Sequence, residues 1–190
     1  MKVSLEFITP DAEYQIGKYA AICYDAKLDR AACIRRAKQV SEKGHLACLR
    51  FSHAVFNISG ISRVCSHQMV RSKFLDFLQR SQRYCKELDV GFTMPDSDEH
   101  EILLSTHYYR SLELYKSLLK TGMKKEDARF VLPEATHTEL NVVGNLQSWR
   151  DFIKLRADKH AQWEVREVAI TINNLLAKEC PNLFKPMEMF

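Results

Sequence analysis

Segments with the two-residue period of strands alternate unevenly along this chain with segments of helical period, and some neighbours lie too close together for a crossover connection. Parallel strands need a connection of roughly a dozen residues or more, whereas antiparallel strands can be joined by a tight turn. The pattern therefore predicts an α+β fold with long helices around a mixed or antiparallel sheet. Its 190 residues, 46% of them hydrophobic, can bury one sizeable core, so a single domain over 1–190 is expected.

Val3, Leu5 and Phe7 alternate with polar residues and predict a strand, followed by a helix capped by Thr9, with Pro10 in its first turn, that runs to about Tyr24. A second helix is expected from Asp29 to Glu42, stopped by Gly44. Phe51–Ile58 reads as a strand, Ser62–Val70 as a helix capped by its serine, and Gln79–Cys85 as extended. A loop over Gly91–Asp98 precedes a long helix from about Ser97 to Lys120, and a short one follows over Lys124–Phe130. Thr136–Val143 is expected as a strand, with helices over 148–156 and 160–178 closing the chain.

Six cysteines are scattered without CxxC pairs, and no charged-then-apolar leader precedes them, which fits a reduced, cytoplasmic chain. No apolar run approaches the length of a membrane span. A net charge of +4 permits phosphate-bearing ligands without calling for a nucleic acid. The histidines lack metal-ligand spacing, so no metal is expected.

The chemistry concentrates between Arg63 and Tyr84, where four arginines, a lysine, a histidine and three glutamines stand among few acids. Aromatic and aliphatic residues interrupt these cations and must be packed, which points to a structured pocket for an anion. Arg71, Arg83, Arg129 and Arg156 fall on four different elements, each in a locally apolar context. An arginine so placed needs a carboxylate or a phosphate, so four separate ion pairs compete with one shared anion site.

Arg71-Ser72-Lys73, seven intervening residues and Ser81 resemble the signature of flavin-dependent thymidylate synthases, in which Arg-His-Arg is followed at that distance by a serine. Two further blocks occur in the family's order: Gly44-His45, Gly60, Ser62-Arg63 and His67-Gln68 upstream, then Ala128-Arg129, Leu132-Pro133, Thr138, Asn145, Leu155-Arg156 and His160-Ala161-Gln162-Trp163-Glu164. The resemblance implies the family's fold and a deoxyuridylate site built from Gln68, Arg71, Gln79, Ser81, Arg83, Arg129 and Arg156, with Arg156 and Ser81 nearest the chemistry. Guanidinium forks suit a phosphate, while Gln and Ser suit base edges or sugar hydroxyls. It implies FAD contacts from His45, Arg71, Ser72, Lys73, Asn145, Asp151 and His160.

The implied reaction is reductive methylation of dUMP to dTMP, with methylenetetrahydrofolate as carbon donor and NADPH as reductant, in a homotetramer with shared active sites. No membrane or nucleic-acid partner is expected. Ser81 is expected to bind substrate rather than attack it, and Cys65 and Cys85 to pack beside the motif. Ser72 and Lys73 depart from the signature, replacing a flat ring and a planar fork with a hydroxyl and a point charge. Altered one-carbon chemistry on another pyrimidine nucleotide, or a non-catalytic nucleotide- or nucleic-acid-binding relative, are the alternatives. Tyr108, Tyr109, Leu112, Tyr115 and Leu119 share a helical stripe and read as core or subunit interface.

Overall fold

A computed structural model describes residues 1–189 and shows a four-stranded, wholly antiparallel sheet in the order β1-β2-β4-β3. The strands are β1 (Lys2–Ile8), β2 (His53–Ser62), β3 (Leu75–Gln79) and β4 (His137–Asn145). The helices are α1 (Ala12–Ala20), α2 (Arg30–Glu42), α3 (Arg63–Met69), α4 (Glu101–Lys120), α5 (Lys125–Ala128), α6 (Leu146–Arg156) and α7 (Trp163–Glu179).

The sheet alternates as its sequence does. Ala54, Phe56 and Ile58 of β2, Leu140 and Val142 of β4 and Leu75 of β3 are buried on one face, beneath Trp149 and Phe152 of α6 and Val165, Val168 and Ile172 of α7. Trp149 meets Phe56 edge-on at 4.9 Å between centroids, and its indole N–H donates to the Ala54 carbonyl at 3.1 Å, so its one polar atom is satisfied in the core. Tyr108, Leu112 and Tyr115 of the predicted stripe are buried, whereas Tyr109 is exposed.

Several caps fall where the sequence puts them. Asp29 caps α2 through Ala32 N–H, Ser62 caps α3 through Cys65 N–H, and Gly44 follows α2 with φ 77°, a conformation glycine adopts without steric cost. Thr9 departs from expectation. Its hydroxyl accepts from His53 N–H at 2.9 Å, tying the chain to β2, and Asp11 holds the N-cap position of α1 in the left-handed region. The strand expected from Phe51 starts at His53, because Leu46–Phe51 coils into a 3-10 helix.

Candidate active site

Strand β3 is an edge of the sheet, and the cation-rich motif wraps around it. Helix α3 precedes it, the Arg71–Phe74 turn enters it, and Gln79 is its last residue. The turn is closed by Ser72 N–H to Met69 carbonyl at 3.0 Å and Leu75 N–H to Ser72 carbonyl at 3.3 Å, which leaves Arg71 and Lys73 exposed. Past Gln79 the expected extended segment is instead a turn. Tyr84 and Cys85 N–H donate to the Ser81 carbonyl, and Arg83 N–H donates to the Ser81 hydroxyl at 3.2 Å. A serine that offers its backbone this local alternative ends a strand.

At this end of β3 several guanidinium groups converge. Arg83 pairs with Glu126 at 2.7 Å and lies over the Tyr84 ring, while Arg129 Nε donates to the Glu126 carbonyl at 3.0 Å. Arg63 Nη2 donates to the Arg80 carbonyl at 3.0 Å, but its Nε is buried without a partner. Burial lowers the Arg63 pKa from the ordinary guanidinium value, Glu87 opposes the shift, and neighbouring Arg129 adds to it. Arg63, His67, Gln82, Arg129 and Glu134 line a cleft of about 420 Å³ here. Two cations that feel one another beside an open cleft are complemented by an anion. Arg63 was not expected in the site; its signal was a charged residue in the first turn of a helix whose cap packs in the core.

The remaining predicted residues gather at the other end of β3, about 13 Å away at the usual rise per strand residue. Arg156, last residue of α6, donates through Nη2 to the Gln68 carbonyl at 2.8 Å, and its Nε is buried without a partner. Asp158 and Glu164, the acids that follow it in the chain, are engaged elsewhere. Asp158 binds His160 at 2.8 Å, whose backbone and ring N–H groups lower the carboxyl's pKa, and Glu164 accepts from Ser62 and Thr93. Gln68 and Arg71 close this end beside Arg156. Gly144 makes the packing possible, since a Cβ there would lie 2.2 Å from Leu75 Cδ2 and 3.5 Å from the Phe74 carbonyl oxygen.

The predicted flavin residues separate. Asn145 follows Gly144, which packs against the Phe74 carbonyl, and lies opposite His53 in the β2–β4 register; its Oδ1 caps α6 through Ser148 N–H at 2.9 Å. Asp151 accepts from Gln147 at 2.8 Å, and its neighbour Arg150 reaches Ser41 at 2.6 Å on the helix that leads to His45. His45 is exposed, as is His160, which no hydrogen bond joins to the other site residues. Gln79 Nε2 donates to Ser66 at 3.0 Å and Thr138 at 3.1 Å, under α3.

Cys65 is fully buried, and burial drives its thiol pKa far upward; Cys180 is pushed up to about 12 by the same cause. Neither supplies a thiolate nucleophile at neutral pH. Among the described residues no group of three or more His, Cys, Asp or Glu is placed to hold a metal ion.

Comparison with known proteins matches residues 4–182 to the family described as thymidylate synthase complementing protein. The flavin-dependent thymidylate synthase of Geobacter sulfurreducens is 31% identical over 97% of this chain and 86% of its own length. That of Thermococcus onnurineus is 37% identical over 71% of this chain, which spans 58% of that relative. In fold, the chain is similar to Thymidylate Synthase X from Helicobacter pylori, solved with FAD and dUMP, at a TM-score of 0.83 and 20% identity over 97% of this chain and 98% of that one. The chain belongs to the family of flavin-dependent thymidylate synthases.

Proposed function

We propose that this chain is an FAD-dependent thymidylate synthase that methylates dUMP reductively to dTMP, using methylenetetrahydrofolate and NADPH. Family membership over 4–182 supports the reaction class, and the observation that carries the site is a pair of buried guanidinium nitrogens, Arg63 Nε and Arg156 Nε, that no group among the described residues satisfies. A buried charge without a partner is costly, so such groups are completed by a ligand.

In this reading Ser81, Arg83 and Arg129 take the nucleotide at one end of β3, and Gln68, Arg71 and Arg156 take it at the other. Within one chain the two ends of β3 lie about 13 Å apart. Sites shared between subunits of a homotetramer bring the two sets onto one nucleotide, and the exposed Phe74 and Leu78 along β3 suit burial between copies. Ser81 orients substrate, its oxygens being engaged in the turn. Arg156, half-buried, polarises the base it touches more strongly than an exposed cation would.

Arg71 and Lys73, exposed in the turn that enters β3, and the free amide nitrogen of Asn145, next after Gly144 on the paired strand, fit a cofactor that carries phosphates. FAD bound there would supply the hydride. His45, Ser72, Asp151 and His160 are assigned to the same cofactor. In this reading residues 1–190 act as one unit in the cytoplasm. Among the described residues no helix is long and apolar enough to cross a membrane. Ser72 and Lys73 favour, as a second reading, one-carbon transfer to another pyrimidine nucleotide. Incubation with FAD, dUMP, methylenetetrahydrofolate and NADPH, with dTMP read by chromatography, tests the proposal; protein that retains flavin and yields no dTMP overturns it.

A further inference from the structure

Gln79 stands where the strand gives way to the Ser81 turn, on the inner face of β3 with Leu75 and Phe77. Its two amide hydrogens point at two hydroxyls, Ser66 Oγ at 3.0 Å and Thr138 Oγ1 at 3.1 Å. An amide could take this place in either orientation, since a hydroxyl both donates and accepts. Ser66 decides between them. Its own proton is committed to the Arg63 carbonyl at 3.0 Å, so towards Gln79 it acts only as an acceptor. Thr138 is buried beside it and accepts the second hydrogen. The amide nitrogen is therefore turned inward, and the oxygen, which accepts nothing among the described residues, is left for a ligand.

We infer that Ser66 and Thr138 are positioning residues that make Gln79 present only its carbonyl oxygen to the nucleotide. The site then selects a pyrimidine nucleotide with a hydrogen-bond donor at that point and disfavours one with an acceptor or a blocked donor there. This deepens the dUMP reading and rests on it. On dUMP the donor is either the base imide N–H or the 3′-hydroxyl, and both satisfy the same oxygen.

Two dUMP analogues separate these sources, one methylated at the imide nitrogen and one lacking the 3′-hydroxyl. The FAD-loaded protein is expected to bind one of them at least roughly fivefold more weakly than dUMP, the scale of one unsatisfied hydrogen bond. In Ser66→Ala/Thr138→Val the amide is free to turn, and the ratio of dUMP to analogue affinity should fall towards unity, while restoring a committed hydroxyl with Ser66→Thr in the Thr138→Val background should recover most of it. A merely structural role would lower the melting temperature and leave that ratio unchanged. If the double variant does not fold, Ser66→Ala alone carries the same comparison and is expected to lower the ratio. A ratio unchanged in folded variants that bind dUMP, or both analogues bound as tightly as dUMP by the unaltered protein, overturns the inference alone. Failure of the unaltered protein to bind dUMP overturns it together with the proposed function.

Discussion

Arg156 reaches from the end of α6 to the backbone carbonyl of Gln68 at the end of α3, across 2.8 Å, and takes no carboxylate. The contact holds one guanidinium nitrogen and leaves the buried Nε for a ligand. Arg156→Ala is expected to lose about 1.5–3 kcal/mol of dUMP affinity, the scale of a charged hydrogen bond, and Arg156→Lys to recover only part. Titration calorimetry beside thermal melting checks this, because a purely structural contact would change the melt and leave affinity alone.

Glu164 is 3% exposed and accepts from Ser62 N–H at 2.7 Å, the Ser62 hydroxyl at 2.5 Å and the Thr93 hydroxyl at 3.1 Å. It fastens α7 to the cap of α3 and to the segment before α4. Glu164→Gln would set an amide N–H either against the Ser62 N–H, donor against donor, or against the Ser62 hydroxyl, which then loses its acceptor. A loss of about 2–3 kcal/mol in urea unfolding is expected.

His137 is half-buried, with its ring against Gly91. Burial lowers its pKa, the N-terminal amine adds to the fall, and Glu164 opposes it. Between that lowered value and the usual value of about 6.5, the unfolded chain binds more protons than the folded one. This residue's contribution to stability is therefore complete above about pH 6.5 and lost as pH falls through the folded value. Melting temperatures from pH 5 to 7.5 should fall more steeply on acidification for the unaltered protein than for His137→Gln.

The buried Cys65 thiol gives the reaction no nucleophile. Cys65→Ala is expected to cost roughly 1 kcal/mol of stability through lost packing. Its rate of dTMP formation per folded molecule should stay unchanged, and a loss of more than a hundredfold would return a cysteine to the mechanism.

Ser72 and Lys73 place a small hydroxyl and a point charge in the turn that enters β3. Replacing them together with histidine and arginine restores a stacking ring and a planar fork. FAD retention, read by fluorescence quenching, should tighten on the order of fivefold.

Much of the architecture was legible because caps and periods are local signals. Asp29, Ser62 and Gly44 mark their helix ends, and the alternation of β2 and β4 marks their buried face. Thr9 misled because its hydroxyl serves a residue 44 positions away rather than its own helix. Gln79–Cys85 misled because the Ser81 carbonyl captures two later N–H groups, which no two-residue period reveals. At the site, the family pattern pointed to Arg129 and Arg156, which lie towards opposite ends of β3. The unpartnered Arg63 nitrogen and the acceptor role of Ser66 depend on contacts that exist only once α3 lies over β3.

The five residues of β3 also work as a ruler. Removing one would swing Gln79 to the opposite face of the sheet, away from Ser66 and Thr138, and draw the Ser81 turn about 3.3 Å towards Arg71. Side chains in the entering turn can change, as Ser72 and Lys73 have, without disturbing that measure. The distance from Arg71 to Ser81 is thus a mechanical property of the strand, and a single-residue deletion within it should do more harm than any single exchange of its exposed side chains.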